Sequence, residues 1–215
     1  AYTAFRLPPG IGAEVGCLAE PVACCLHGMD RLAPTSGTPL LIIGAGPAGL
    51  ILTRLARLSG AAPIVVSEPN PERRAAALDF GADLALDPGA AGWGEALEQV
   101  TDGQGFDSVI EAVGSAATLE VAVERAARGG RVLVFGVAPM DAVARVRPYE
   151  IFARELTLIG TVINPYTHNR AVGLLPRLGL DRLDFATYPL EDFQAAFDAQ
   201  ASGDAGLKVE IHPHI

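Results

Sequence analysis

The sequence is short of lysine, cysteine and long apolar runs. Lys208 is its only lysine, against fifteen arginines, so no Tyr-x-x-x-Lys pair exists and proton transfer through a tyrosine–lysine couple is excluded. The three cysteines, Cys17, Cys24 and Cys25, form neither a disulfide framework nor a C-x-x-C zinc motif. Adjacent helical residues point about 100° apart, so Cys24 and Cys25 read as small buried hydrophobes rather than as joint metal ligands. No stretch has the uninterrupted apolar length of a membrane span, and the first residues lack the pattern of a signal peptide. A formal net charge of −9 argues against nucleic acid, whose phosphates call for a basic stripe. The expectation is a soluble, cytoplasmic protein with neither a membrane nor a nucleic acid as partner.

What the chain does have is a large apolar fraction and one informative turn. Half of the 215 residues are hydrophobic and the mean hydropathy is +0.30, which favours an ordered core over disorder. The run Leu40-Leu41-Ile42-Ile43 stops at Gly44-Ala45-Gly46-Pro47-Ala48-Gly49, where a helical pattern opens. This G-x-G-x-x-G spacing is that of a dinucleotide-binding βαβ unit. Gly44 allows a tight turn, Gly46 leaves the backbone open to a pyrophosphate, and Gly49 lets the helix pack closely on the sheet. Pro47 suits a first helical turn, and the free N–H groups around Ala48 face an anion at the positive helix end. A second apolar run, Pro63-Ile64-Val65-Val66-Ser67, ends in Glu68 at the distance expected of an acid that accepts hydrogen bonds from both ribose hydroxyls. Such a carboxylate repels a 2′-phosphate and favours NAD over NADP, a preference that Arg73 and Arg74 would blur. The alternative is an ordinary strand–turn–helix with Glu68 as a solvated loop residue.

Periodicity predicts a helix over residues 14–33, kinked or interrupted by Pro21. After the first strand and its helix, Asn70 caps a helix with Pro71 in its first turn, ending near Phe80-Gly81. Further strands are expected over 82–86, 106–113, 131–135 and 156–162. Helices are expected over 94–100, from a Ser115 cap to Ala126, around 149–154 and over 167–178. This alternation defines an α/β class: a doubly wound, six-stranded parallel sheet in the order 3-2-1-4-5-6, with a ligand outside the carboxyl ends of strands one and four. A helix over 192–200 and a strand over 207–211 have no obvious place in that sheet.

The chain resembles the medium-chain dehydrogenases, and within them the zinc-dependent alcohol and polyol branch that includes sorbitol and threonine dehydrogenases. The resemblance rests on Phe5-Arg6-Leu7-Pro8-Pro9-Gly10, Ala19-Glu20-Pro21-Val22-Ala23 and the glycine turn. It continues through Asp107-Ser108-Val109-Ile110-Glu111-Ala112-Val113-Gly114, the Gly129–Gly136 run and the Tyr188-Pro189-Leu190-Glu191-Asp192 ending. It implies a Rossmann sheet with short remnants of a GroES-like catalytic domain: 1–24 as the end of that domain, 25–180 as the NAD-binding domain, 181–215 as the return to it. It also implies that Pro47 and Ala48 hold the pyrophosphate and Glu68 the ribose, flanked by Arg73. Ala112, Val113 and Gly114 would line the cleft, and Gly136, Val137, Thr161, Val162 and Ile163 would border the nicotinamide. Glu20 is the implied catalytic residue, as an outer zinc ligand or a partner of the metal-bound water; the alternative is an exposed helix charge near a proline. The family's metal-binding cysteine and Gly-His-Glu segment are absent, so the zinc site of the intact enzyme is incomplete here.

Of the histidines, His27 follows Cys24 at i+3, a permissible ligand spacing, but reads better as an ordinary helix histidine; His212 and His214 read as a solvated end. The implied reaction is hydride transfer between a secondary alcohol or polyol and nicotinamide, by a homodimer or homotetramer joined through the sixth strand. The arginine with which polyol dehydrogenases often grip substrate hydroxyls is replaced by Ile163. Two other classes stay open. A flavoprotein would share the glycine turn, though its distal Gly-Asp segment has only Gly203-Asp204 as a counterpart. A non-catalytic nucleotide-binding module would need no metal ligands.

Overall fold

A computed structural model describes residues 4–202, 206 and 208–213; Gly203, Asp204, Leu207 and His214, which entered the sequence reading, lie outside the described residues. The chain enters through α1 (Ala13–Gly16) and α2 (Ala19–Leu32). The single helix expected over 14–33 is thus two. Pro21 does not kink α2 but sits in its first turn, where a missing N–H is no loss, and the break falls before it at Cys17 and Leu18. The boundary expected at residue 24 falls inside α2, whose buried side chains from Ala19 onward belong to the main core.

The alternating part follows as β1 (Leu40–Ile43), α3 (Pro47–Ser59), β2 (Ile64–Ser67), α4 (Pro71–Asp79), β3 (Leu84–Leu86), α5 (Trp93–Val100), β4 (Phe106–Glu111), α6 (Ala116–Arg125), β5 (Ala126–Val134), α7 (Pro148–Ala153), β6 (Thr157–Gly160) and α8 (His168–Leu178). All neighbouring pairs are parallel, in the order β3-β2-β1-β4-β5-β6. Two caps act as the sequence indicates. The Asn70 side chain accepts from the N–H groups of Glu72 and Arg73, and Ser115 Oγ accepts from Thr118 N–H. β5 starts earlier than expected because Ala126 already pairs with Phe106, before a register shift into the regular ladder from Arg131.

Alternate residues of the central strands face two cores, which explains their unbroken apolar runs. Leu40 and Ile42 pack with α2, α3 and α8, whereas Leu41 and Ile43 pack with residues of α5 and α6. The tail adds β7 (Phe185–Pro189), α9 (Phe193–Ser202) and β8 (Lys208–His212). β7 pairs with β8 in a separate two-stranded parallel sheet. The sequence reading missed β7, whose five residues carry a proline and no alternation. No helix among the described residues is long and apolar enough to cross a membrane.

Candidate functional site

The turn after β1 is built by glycine geometry. Gly44 has φ +102° and donates its N–H to Ser67 O (2.8 Å), which ties the turn to the end of β2. A Cβ at Gly49 would lie 2.1 Å from Gly44 O, so only glycine lets α3 start this close to the strand. Gly46 is the N-cap of α3 and a Cβ there would meet nothing within 4 Å. Pro47 has no N–H, and those of Ala48 and Gly49 take no hydrogen bond among the described residues. The positive end of a 13-residue helix is therefore open to an anion beside Gly46. A cavity of about 490 Å³ lies here, with Pro47 on one side and Phe193, Phe197 and Val209 on the other.

Two buried glutamates shape the loops around this turn. Glu68 Oε2 accepts from Ala45 N–H (2.8 Å) and Oε1 from Asn70 N–H (3.0 Å), so the acid expected at the ribose also clamps the glycine turn. Arg74 donates to Glu68 O and Pro69 O and pairs with Asp87, whereas the Arg73 guanidinium has no partner among the described residues. Glu111 ends β4 almost fully buried; its Oε1 accepts from the N–H groups of Val113 (2.9 Å) and Gly114 (2.8 Å) and from Thr118 Oγ1 (2.8 Å). The sequence alone assigns Glu111 no role. Its signal was an acid extending the buried run Ser108-Val109-Ile110, where a carboxylate survives only with donors around it.

The tips of β4 and β5 touch through backbone. A Cβ at Gly136 would lie 2.1 Å from Gly114 N, and one at Gly114, whose φ is +88°, would lie 2.6 Å from Val137 O. Ala112 continues the ladder by donating to Ile43 O, and the Val113 side chain closes over Gly44. Val113, Val137, Val162 and Ile163 are all exposed, Val137 to 92%. Thr161 Oγ1, by contrast, is buried with no hydrogen-bond partner. The expected cleft residues Gly44, Gly46, Ala112, Val113, Gly114, Gly136, Val137, Thr161, Val162 and Ile163 thus gather at the carboxyl ends of β1, β4, β5 and β6.

The first half of α2 closes one side. Cys25 is fully buried, with its thiol on Ala48 O (3.7 Å), which holds α2 against the start of α3. One residue earlier, Cys24 is half-buried and donates to Glu20 Oε1 (3.1 Å). Asn164 Nδ2 reaches across from the loop after β6 to the same Glu20 oxygen (2.9 Å). Burial, and then the Glu20 carboxylate, push the Cys24 thiol up to about 11. The sequence reading of Cys24 as a buried hydrophobe is corrected: its sulfur belongs to a polar cluster with Glu20 and Asn164.

Cys17 is exposed as a residue, with its thiol turned onto Glu210 Oε1 (2.8 Å). His212, expected to be a solvated end, is half-buried and meets Glu210 Oε2 at 3.2 Å, because β8 pairs with β7 and carries it inward. No three histidine, cysteine or carboxylate groups among the described residues are arranged to hold a metal ion.

Comparison with known proteins agrees with this geometry. Residues 47–177, more than half of the chain, match the family model described as zinc-binding dehydrogenase. D-arabinitol dehydrogenase 1 of Uromyces fabae is 33% identical over 94% of this chain and 59% of its own length. D-altritol 5-dehydrogenase of Agrobacterium fabrum strain C58 is 34% identical over 94% of this chain and 61% of its own. Among solved structures, a zinc-binding dehydrogenase of Sinorhizobium meliloti 1021 bound to NADP superimposes with a TM-score of 0.86 at 32% identity, over 96% of this chain and 61% of that one. The chain spans about three fifths of the length of these relatives. Sequence match, sheet order and glycine turn agree, and the chain belongs to the zinc-binding dehydrogenase family.

Proposed function

We propose that this chain is the cofactor-binding portion of a nicotinamide-dependent dehydrogenase acting on a secondary alcohol or polyol. The observation that carries the proposal is the uncapped start of α3 at Gly46, open on the ligand side and enforced by Gly44 and Gly49. The residues present fit a dinucleotide. The free N–H groups of Ala48 and Gly49 suit a pyrophosphate, Glu68 directly follows β2 and suits a ribose, and Thr161 Oγ1 is an orphaned polar atom beside the exposed wall. When bound, the nicotinamide supplies the site that accepts or gives a hydride.

The chain's own part is positioning. The start of α3 offsets the phosphate charge, and Glu111 fixes the loop of residues 112–114 beside the ring. Val113, Val137, Val162 and Ile163 keep water from the ring's faces. Glu20 is assigned to the alcohol end of the cleft, where its carboxylate orients a polar group.

Glu68 supports NAD as the preferred coenzyme, because a buried carboxylate opposes a 2′-phosphate; the partnerless Arg73 guanidinium keeps NADP binding measurable. The described residues do not supply a zinc ligand set, since Glu20 and Cys24 lack a third group, so no step is assigned to a metal on this chain. The separate β7–β8 sheet supports treating 181–215 as part of another unit, with 25–180 as the dinucleotide-binding domain. β6 is an edge strand with Leu158, Tyr149 and Phe152 exposed around it, which supports a homodimer joined there.

Titration with NADH and NADPH, followed by coenzyme fluorescence, tests the function. Saturable NADH binding, tighter than NADPH, is expected; no binding of either overturns it. Turnover of secondary alcohols with NAD then separates the enzyme from a non-catalytic binding module.

A further inference from the structure

We propose that Asn164 is a specificity-determining residue that accepts a hydrogen bond from a substrate hydroxyl next to the reacting carbon, an assignment that rests on the nicotinamide-dependent function proposed above. Asn164 follows β6 at the nicotinamide end of the cleft, three residues after the partnerless, buried Thr161 Oγ1. Its Nδ2 is committed, donating to Glu20 Oε1 (2.9 Å) with the Cys24 sulfur at 3.6 Å. A carboxylate can only accept, so this contact fixes which end of the amide is which. It leaves Asn164 Oδ1 as an acceptor to which nothing among the described residues donates.

The backbone reinforces this placement. Ile163, a β-branched residue, has φ +58°, a conformation its side chain disfavours. Thr167 N–H closes the turn on Asn164 O (3.3 Å), and the loop is tied to α2 at both ends, by Thr167 Oγ1 on Ala23 O (2.8 Å) and Asn164 Nδ2 on Glu20 Oε1. Strain of this kind persists only where the surroundings over-determine it, and what it achieves here is the Asn164–Glu20 contact across the cleft.

The chemistry selects the ligand group. At the reacting carbon the hydroxyl loses its proton during oxidation and ends as a carbonyl, which has nothing to donate. A neutral amide oxygen therefore suits a hydroxyl that keeps its proton throughout, such as that on the adjacent carbon of a polyol. The exposed Val137, Val162 and Ile163 side chains are apolar, and Glu20 Oε1 already accepts from Asn164 and Cys24. A substrate with a neighbouring hydroxyl satisfies Oδ1, and a simple secondary alcohol leaves it to water.

The test uses the protein expressed from its complete gene, with D-arabinitol and 2-butanol as substrates and NAD as coenzyme. For Asn164→Leu, which also removes the donor to Glu20, kcat/KM for D-arabinitol should fall about tenfold or more beyond any fall on 2-butanol, chiefly through KM. NADH affinity, read by fluorescence, should be unchanged. If N164L does not fold, Asn164→Ala removes the same acceptor with less bulk and should show the same split between the two substrates. Equal loss on both substrates, or no loss on D-arabinitol, overturns the assignment. Failure of the wild type to bind NADH overturns the proposed function instead, so the two failures are distinct.

Discussion

Replacing Gly46 with alanine separates what the turn does for the fold from what it does for a ligand. A Cβ at Gly46 meets nothing within 4 Å, and φ −67° with ψ −178° is extended backbone that any residue adopts. Two small effects then oppose each other in the free protein. Alanine restricts the unfolded chain, which stabilises the fold by about 0.4–1 kcal/mol. It is also a poorer N-cap than glycine, at a cost of roughly 0.5–1 kcal/mol. The net is near zero, and at about 2–4 °C per kcal/mol for a chain of this size the Tm should stay within about 2 °C of wild type.

The dinucleotide meets the same methyl group differently. It stands on the surface that the pyrophosphate must touch, so the phosphates back away from the Ala48 and Gly49 N–H groups. Losing charge-assisted hydrogen bonds costs about 1.5–3 kcal/mol, or roughly 10- to 150-fold in Kd. NADH titration by fluorescence, run beside thermal melting, reads both numbers. Wild-type NADH affinity in G46A would refute the placement of the pyrophosphate, and a fall in Tm beyond about 5 °C would refute the open cradle. Gly49→Ala is the converse: its Cβ would strike Gly44 O, so stability and binding should fall together.

Glu111→Leu leaves the Val113 and Gly114 N–H groups and the Thr118 hydroxyl without their acceptor, and should lower stability by about 3 kcal/mol in urea unfolding and weaken NADH binding with it. Leu158→Lys places a charge on the β6 edge and should convert a dimer to monomer by light scattering; a wild-type monomer removes the proposed interface. Burial and the Glu210 hydrogen bond push the Cys17 thiol from its ordinary 9.0 up to about 12, so folding favours the neutral form. That contribution to stability is complete below the unfolded value near 9.0 and is lost as the pH rises toward 12. Iodoacetamide at pH 9 should therefore alkylate Cys17 more slowly in native than in unfolded protein, and Glu210→Gln should speed the native reaction.

Much of the fold could be read from the residues because local rules were enough. Asn70-Pro71 and Ser115 start helices as their side chains dictate, and the apolar runs of β1, β2 and β4 are long enough to name as buried strands. The reading failed where local signals were thin or where partners were distant in sequence. Pro21 looked like a kink because nothing nearby said that a new helix begins at Ala19. β7 was missed because it is stabilised by pairing with β8 rather than by its own pattern. Cys24 looked apolar until Glu20 and Asn164 were found around it, 144 residues apart in the chain.

The sequence by itself determined the Rossmann order and the glycine turn, because strand burial, helix caps and positive-φ glycines are properties of short segments. It also placed Glu68 directly after β2, whereas Glu111 stood inside an expected strand over 106–113. Only the tertiary structure decided what those acids do: Glu68 clamps the turn and Glu111 clamps the neighbouring loop, since a buried carboxylate needs donors that arrive from elsewhere in the fold. The same holds for Asn164, whose role depends on α2 and the loop after β6 meeting across the cleft, a contact that no spacing in the sequence encodes.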